Sequence, residues 1–483
     1  MKILLCYPTV SEEYSKIRDA GLTPHLSLLC IASHLKTKFD DVDIDIIDGH
    51  HMSYEEICKK ISANNYDVIG FSVDFTNYVT SVKLANFAKQ INPDTKIGCG
   101  SNHASNMYNQ ILTNQKSYDF VGINDGEEEF EQYIRYLKGE IKIEEVTNLA
   151  YRDNGQIKVN PIKTFDLKKH VPVNYEMIDL DAYFKIQKEV FGDNFKMLQF
   201  TSQRGCANHP LCAFCGRFDD GMRFRDPKQY AIEVAHYTEK YQLTEVWDRS
   251  DSFIQSVRWL KTFTEELNAR TDRFSSGKTT FKTYSRADQL LRQDVIDILK
   301  DLHFRMVFIG YEAGDNRILK NIGKHANLDT YYKATRNVLD NGIDIDASFI
   351  VGLPGENKES LENHIKFVKN LISMGLDKIR VNRLLVLPGT PIYHKIVEQY
   401  PEIAKKDIVP MEDLQRLVFT TDLYDLHDFN NSVDVFLDKI TETANTMAGL
   451  VENNHGATEG YGHYGTQKNI ATGNELTLQQ QGR

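Results

Sequence analysis

The chain has 483 residues, 41% of them hydrophobic, and a formal net charge of −11. That length predicts two or three domains with real cores, and the acidic balance argues against nonspecific binding to nucleic acid, which needs a basic surface. No segment approaches the roughly 20 apolar residues that span a bilayer, and the first residues carry no signal-peptide pattern, so a cytoplasmic protein with reduced thiols is expected.

Strands and helices alternate from the start. Residues 2–8, 43–47, 68–73, 96–100 and 120–122 read as strands, and residues 28–38, 53–63, 79–91 and 126–138 as helices. This predicts an α/β domain over residues 1–140, a Rossmann-like doubly wound sheet. Such sheets bind ligands outside the carboxyl ends of their strands. The turns there run from Ser72 to Thr76, from Gly98 to His103 and from Asn124 to Glu127. Their small residues let a flat ligand approach the backbone. No G-x-G-x-x-G follows the first strand, which disfavours a dinucleotide.

Residues 141–195 read as a linker, with a hairpin around Asn154 and Gly155. Residues 197–201, 245–247, 280–284, 306–310, 344–351 and 378–385 then read as six strands separated by helical stretches. Six strand–helix repeats predict a partial (β/α)6 barrel of the TIM type over residues 196–395, with its chemistry in the loops after the strands. Residues 396–450 read as a helical C-terminal cap, with Met411, Leu414, Leu417 and Val418 at core positions, and residues 451–483 as a disordered tail.

The loop after the first barrel strand carries Cys206, Cys212 and Cys215 within ten residues. Thiolates this close grip one soft metal centre. A four-iron cluster held by three cysteines keeps one iron without a protein ligand, able to bind a small molecule. A zinc site completed by His209 or a distant residue is the alternative on spacing alone. Cys6, Cys30, Cys58 and Cys99 stand singly and read as small buried residues. The odd count of seven argues against a disulfide framework.

These motifs in this order resemble the cobalamin-dependent branch of the radical S-adenosylmethionine (SAM) family. The segments from Gly310 to Gly314 and from Phe349 through Gly352 to Glu356 resemble its fourth- and fifth-strand motifs, and Leu387 to Tyr393 its proline-rich segment. In the first domain, Gly98 to His103 resembles a G-G-x-H loop, and Asp119 to Glu128 a D-x-V-x-x-G-E segment. The chain departs from the family's C-x3-C-x2-C pattern: here it is C-x5-C-x2-C, a two-residue insertion that should bulge the loop without removing a ligand. Asp48 to Ser53 is close to the D-x-H-x-x-G motif of some cobalamin proteins, but Ser53 replaces the glycine and the segment follows the second strand. His50 is therefore read as a turn histidine, and no protein imidazole is expected below cobalt.

The resemblance implies a [4Fe-4S] cluster on Cys206, Cys212 and Cys215, with SAM chelating the open iron. Ser285, Arg286, Glu312 and Gly352 would hold SAM, Glu312 through the ribose hydroxyls. Ser72, Gly100, Ser101, Asn102, His103, Gly126 and Glu127 would line cobalamin between the two domains. The implied reaction is methyl transfer to an unactivated carbon through a 5′-deoxyadenosyl radical and methylcobalamin. The alternative is a non-methylating oxidative cyclase or ring-rearranging enzyme, and the non-enzymatic reading is a cobalamin- or redox-sensing protein. Expected partners are a small-molecule or peptide substrate and an external one-electron donor such as flavodoxin or ferredoxin, with no nucleic acid.

Overall fold

The computed structural model describes residues 1–10, 21–217, 221–254, 256–408, 414 and 468–470. The first domain runs β1 (Lys2–Tyr7), α1 (Leu26–Lys38), β2 (Asp43–Asp48), α2 (Tyr54–Ser62), β3 (Val68–Ser72), α3 (Tyr78–Ile91), β4 (Lys96–Gly100), α4 (Ser101–Asn114), β5 (Phe120–Gly122) and α5 (Glu127–Leu137). The strands β1, β3, β4 and β5 are largely apolar and buried, as a parallel sheet between helices requires, whereas the edge strand β2 alternates Asp with Ile and is mostly half-buried. The hairpin β6 (Leu149–Asp153) and β7 (Gln156–Val159) extends this sheet in antiparallel fashion, giving the order β2-β1-β3-β4-β5-β6-β7. Part of the segment read as linker is thus sheet.

The sequence reading also has no helix at Ser101, where α4 starts directly from the end of β4. The sequence of α4 is rich in Asn and Ser, poor helix formers in an interior. Burial of Ala104, Met107, Ile111 and Leu112 sets its conformation.

The second domain follows α6 (Leu180–Phe191). It comprises β8 (Met197–Phe200), β9 (Gln203–Gly205), β10 (Met222–Phe224), α7 (Pro227–Tyr241), β11 (Glu245–Asp248), α8 (Val257–Asn268), β12 (Thr280–Ser285), α9 (Gln293–Asp301), β13 (Phe304–Glu312), α10 (Asn316–Asn321), α11 (Leu328–Leu339), β14 (Asp344–Val351), α12 (Lys358–Ser373), β15 (Lys378–Arg383) and α13 (Pro391–Gln399). The strands β8, β11, β12, β13, β14 and β15 are parallel and adjacent in that order, the expected six-stranded partial barrel. Caps fix several helix starts: Asp226 accepts from the backbone amides of Lys228 and Gln229 ahead of Pro227, and Thr390 accepts from Tyr393 behind Pro391.

The antiparallel ribbon β9–β10 brackets the cysteine loop. A last short strand, β16 (Lys468–Ile470), pairs antiparallel with β15. It is the one described piece of the segment read as a disordered tail. Of the cap expected over residues 396–450 the structure describes residues 396–408, which hold the end of α13 and a 3-10 turn over Ile403–Lys405, and Leu414, which is buried in the core; the rest of that expectation lies outside the described residues. No helix among the described residues is long and apolar enough to cross a membrane.

Candidate active site

Cys206, Cys212 and Cys215 are half-buried on one loop, and the backbone amide of Cys215 turns back to the carbonyl of Cys212 at 2.9 Å. The inserted length is folded into a cap around Asn208. Its backbone N–H approaches Cys206 Sγ at 3.5 Å, and its Nδ2 approaches Cys212 Sγ at 3.3 Å and the Gly323 carbonyl at 2.9 Å. Asn208 Oδ1 accepts from Arg286 Nη1 at 3.3 Å. His209, the local candidate for a zinc ligand, is exposed. Sequence reasoning assigned no role to Asn208, because an insertion carries no motif. Burial pushes the Cys212 thiol up to about 11 and also raises Cys215, so binding a metal there must release protons.

A cavity of about 290 Å³ opens from this loop into the barrel mouth, lined by Cys206, Cys212, Asp251, Ser285, Arg286 and Glu312 among others. Glu312 ends β13 with φ +62, in the left-handed region that a residue with a Cβ enters at a cost of about 1–3 kcal/mol. Its carboxylate folds back over Gly310, where a Cβ would stand 2.1 Å from Glu312 Oε1, so any larger residue there would push the carboxylate aside. Lys324 Nζ holds Glu312 Oε1 at 2.9 Å. Burial alone would lower the ammonium pKa of Lys324, but the Glu312 charge holds it above its usual value. Gly352 lines neither this cavity nor the next. With φ +86 it makes the turn after β14, and its N–H binds Glu356 Oε2 at 2.8 Å. Its place is in shaping the loop.

A second cavity, of about 660 Å³, lies between the carboxyl edge of the first sheet and the cysteine loop. Ser72, Gly100, Ser101, Asn102, His103, Gly126 and Glu127, the residues expected to line cobalamin, all border it. Facing them across the cavity are Cys215, Gly216, Arg217, Asp251, Leu387 and Pro388. His103 is buried against Tyr78, ring centroids 4.7 Å apart, and neither ring nitrogen has a hydrogen-bond partner among the described residues. Burial pushes its pKa down to about 4, so it presents a neutral imidazole. His50 does not border the cavity; its Nδ1 binds Asp48 at 2.9 Å and its ring stacks on Tyr7.

Glu127 borders the cavity, but its carboxylate is engaged by Arg204, with Nη2 2.5 Å from Oε1. Arg204 also reaches Asp125 at 2.5 Å, and Arg223 of β10 binds the other oxygen of Asp125 at 2.8 Å. Both arginines come from the ribbon bracketing the cysteine loop, so this cluster joins the two domains beside the larger cavity. No motif marks Arg204, and pairing across some 77 positions leaves no local signal.

The radical SAM superfamily model matches residues 200–368, and the B12 binding domain model matches residues 17–134. An uncharacterised methyltransferase of Pyrococcus horikoshii is 26% identical over 406 residues, covering 81% of this chain and 82% of the relative. The anaerobic magnesium-protoporphyrin IX monomethyl ester cyclase of Rubrivivax gelatinosus is 24% identical over 384 residues, covering 77% of this chain and 66% of the cyclase. The solved structure of the cobalamin-dependent SAM radical enzyme OxsB with aqua-cobalamin and SAM bound superposes with TM-score 0.71 at 19% identity, covering 91% of this chain and 67% of OxsB, a likeness of fold. The chain belongs to the cobalamin-dependent radical SAM enzymes. Its cofactors are a [4Fe-4S] cluster, SAM and cobalamin. The residues fit these groups: three sulfurs on one loop between the cavities, two of them with N–H donors from Asn208, and a glycine-lined shelf with unpartnered imidazole nitrogens at the larger cavity.

Proposed function

We propose that this enzyme is a methyltransferase that acts on an unactivated carbon of a small-molecule or peptide substrate. The observation that carries the reading is that the two cavities meet at the cysteine loop: Asp251 borders both, Cys206 and Cys212 face the smaller, and Cys215 faces the larger. When bound, the cluster and SAM supply a 5′-deoxyadenosyl radical for hydrogen abstraction, and methylcobalamin supplies the methyl group.

The chain's own residues hold and orient these partners. Cys206, Cys212 and Cys215 would ligate the cluster, with Asn208 directing N–H groups at two of the sulfurs. Glu312, held by Lys324, would accept from the SAM ribose hydroxyls, and Arg286 and Ser285 would contact its polar end. Ser72, Gly100, Ser101, Asn102 and Gly126 would form the shelf under the corrin, and neutral His103 would accept from or donate to one of its amide side chains. Tyr284 and Phe308 wall the smaller cavity and would keep water from the radical.

Similarity to the cyclase favours ring closure as the second reading. One assay separates the two. Protein reconstituted without oxygen is given SAM, an external one-electron donor and candidate substrates, and the products are read by mass spectrometry. Methyl transfer gives a product heavier by one methylene, with S-adenosylhomocysteine and 5′-deoxyadenosine formed together. Ring closure gives 5′-deoxyadenosine without S-adenosylhomocysteine, and that result would overturn the methyltransferase reading.

A further inference from the structure

Two arginines border the larger cavity, Arg204 and Arg217. Arg204 is paired with Asp125 and Glu127. Arg217, two residues after the third cluster cysteine, stands on the wall that faces the shelf, where Leu387 and Pro388 are apolar. Its Nε and Nη1 are buried and have no hydrogen-bond partner among the described residues. A guanidinium shut off from water without an acceptor is costly, because it stays charged and cannot neutralise itself as a carboxyl can. Nothing in the methyl-transfer reading uses this group.

The acids around the cavity are engaged elsewhere. Asp74 accepts from Tyr7 Oη at 2.8 Å and from the backbone amide of Thr76 at 2.7 Å. Asp125 and Glu127 are held by the arginines of the ribbon. Asp251 Oδ2 accepts from the Gly205 amide at 2.6 Å. Glu129, 3% exposed and packed against Gly122, is pushed by burial up to about 8 and is neutral at pH 7. Cobalamin does not answer the charge either. Its corrin side chains are neutral amides, and its one fixed anion, the nucleotide phosphate, belongs to the lower side, which the shelf receives. Arg217 thus sets an unmet positive charge on the opposite side of the cavity, where a third molecule would enter.

We propose that Arg217 binds an oxyanion of the substrate, so that the molecule acted on carries a carboxylate or a phosphonate-type group held against this wall. The inference deepens the proposed function and rests on its placing of cobalamin in the larger cavity. Both oxyanions accept charge-assisted hydrogen bonds from a guanidinium, and low-dielectric walls strengthen the pairing. A neutral analogue of the same size would leave the guanidinium unpaired. The test uses the full chain loaded with the cluster, SAM and cob(II)alamin, whose unpaired electron broadens the NMR lines of molecules lodged near the cobalt and spares those on distant surface. Acetate and methylphosphonate are the anionic probes, and acetamide is the neutral one. In wild type the methyl line of at least one anion should broaden about tenfold more than that of acetamide, the selectivity that one charge-assisted pair supports. The probe that responds identifies the class of acid. Arg217→Met should bring the anion down to the acetamide level with cobalamin affinity unchanged, and Arg217→Lys should keep part of the response.

Equal broadening of anions and acetamide in wild type would overturn the proposal and leave the charge to the cluster beside it. An anion response that survives Arg217→Met would overturn it as well. Weaker cobalamin binding by that variant would assign Arg217 to the corrin rim, again against the proposal. Should Arg217→Met fail to fold or to take up its cofactors, Arg217→Gln, which stays polar and drops the charge, replaces it, and the wild-type contrast decides if both fail. Wild-type protein that takes up no corrinoid would instead refute the cobalamin reading on which the inference rests. The product assay for methyl transfer against ring closure has a separate readout, so its failure is told apart from this one.

Discussion

Arg204 Nη2 stands 2.5 Å from Glu127 Oε1, tying the residue two places before the first cluster cysteine to the first turn of α5. Glu127 is buried and Arg204 is 22% exposed at its side chain. Burial alone would raise the Glu127 pKa, but the guanidinium more than offsets this and holds it below the usual carboxylate range. A depressed carboxylate contributes stability above its unfolded pKa, and that contribution is lost as pH falls through its folded value.

Arg204→Met should therefore destabilise the protein at pH 7 by about 3–5 kcal/mol, because it leaves a buried charge without its partner. The denaturant midpoint of the variant should approach that of wild type below about pH 4, where Glu127 protonates in the unfolded chain. Urea titrations at pH 7 and in acid check this.

Asn208 directs N–H groups toward the sulfurs of Cys206 and Cys212. Hydrogen bonds to thiolate ligands disperse the charge of a reduced cluster and raise its potential. Asn208→Ala removes the side-chain donor and should shift the cluster to a more negative midpoint, measured by EPR-monitored redox titration, and slow formation of 5′-deoxyadenosine under a weak reductant. An unchanged midpoint would leave Asn208 as loop scaffolding.

Gly98 and Gly100 stand two residues apart on β4 with opposite room around them. A Cβ on Gly98 would meet the Phe120 ring at 2.2 Å, whereas one on Gly100 would find only the Gly122 carbonyl, at 3.7 Å. Gly98→Ala should lower thermal stability by overpacking, on the order of 1–3 kcal/mol. Gly100→Ala should fold normally and weaken cobalamin binding by narrowing the shelf. Melting curves of the apoprotein and corrinoid titrations separate the two effects.

Lys324 holds the carboxylate of Glu312 within the smaller cavity. Glu312→Gln should weaken SAM binding by about tenfold or more, since hydrogen bonds to a charged acceptor contribute about 1.5–3 kcal/mol. Lys324→Met should weaken SAM comparably while leaving cobalamin affinity unchanged, as measured by equilibrium dialysis.

Much of this architecture is legible in the sequence because parallel sheets write themselves as short apolar runs between amphipathic helices, and because three cysteines on one loop have few other uses. The residues from Ser72 to Glu127 that border the larger cavity follow from their places at the ends of strands. What escaped is what has no local signature. Arg204 pairs with an acid 77 positions away. Lys324 acts by closing on Glu312, and Asn208 sits in an insertion that no pattern describes. Glu129 follows two other glutamates in an acidic helix start, where a solvated carboxylate is the natural reading. Only the packing of α5 against Gly122 shows that it is buried. Gly352 erred the other way: its motif is legible, but its N–H serves the turn and it borders neither cavity.

The central claim is that the loop carrying the three thiols stands between the smaller cavity and the corrinoid shelf of the larger one. The most direct measurement is the iron and corrinoid content of protein prepared without oxygen, together with its yield of 5′-deoxyadenosine from SAM and dithionite. The account predicts iron in the ratio of a [4Fe-4S] cluster, one corrinoid per chain and 5′-deoxyadenosine from wild type. The variant in which Cys206, Cys212 and Cys215 are all alanine should keep the corrinoid and lose both iron and product. Product formation by that variant, or wild-type protein that takes up no corrinoid, would contradict it.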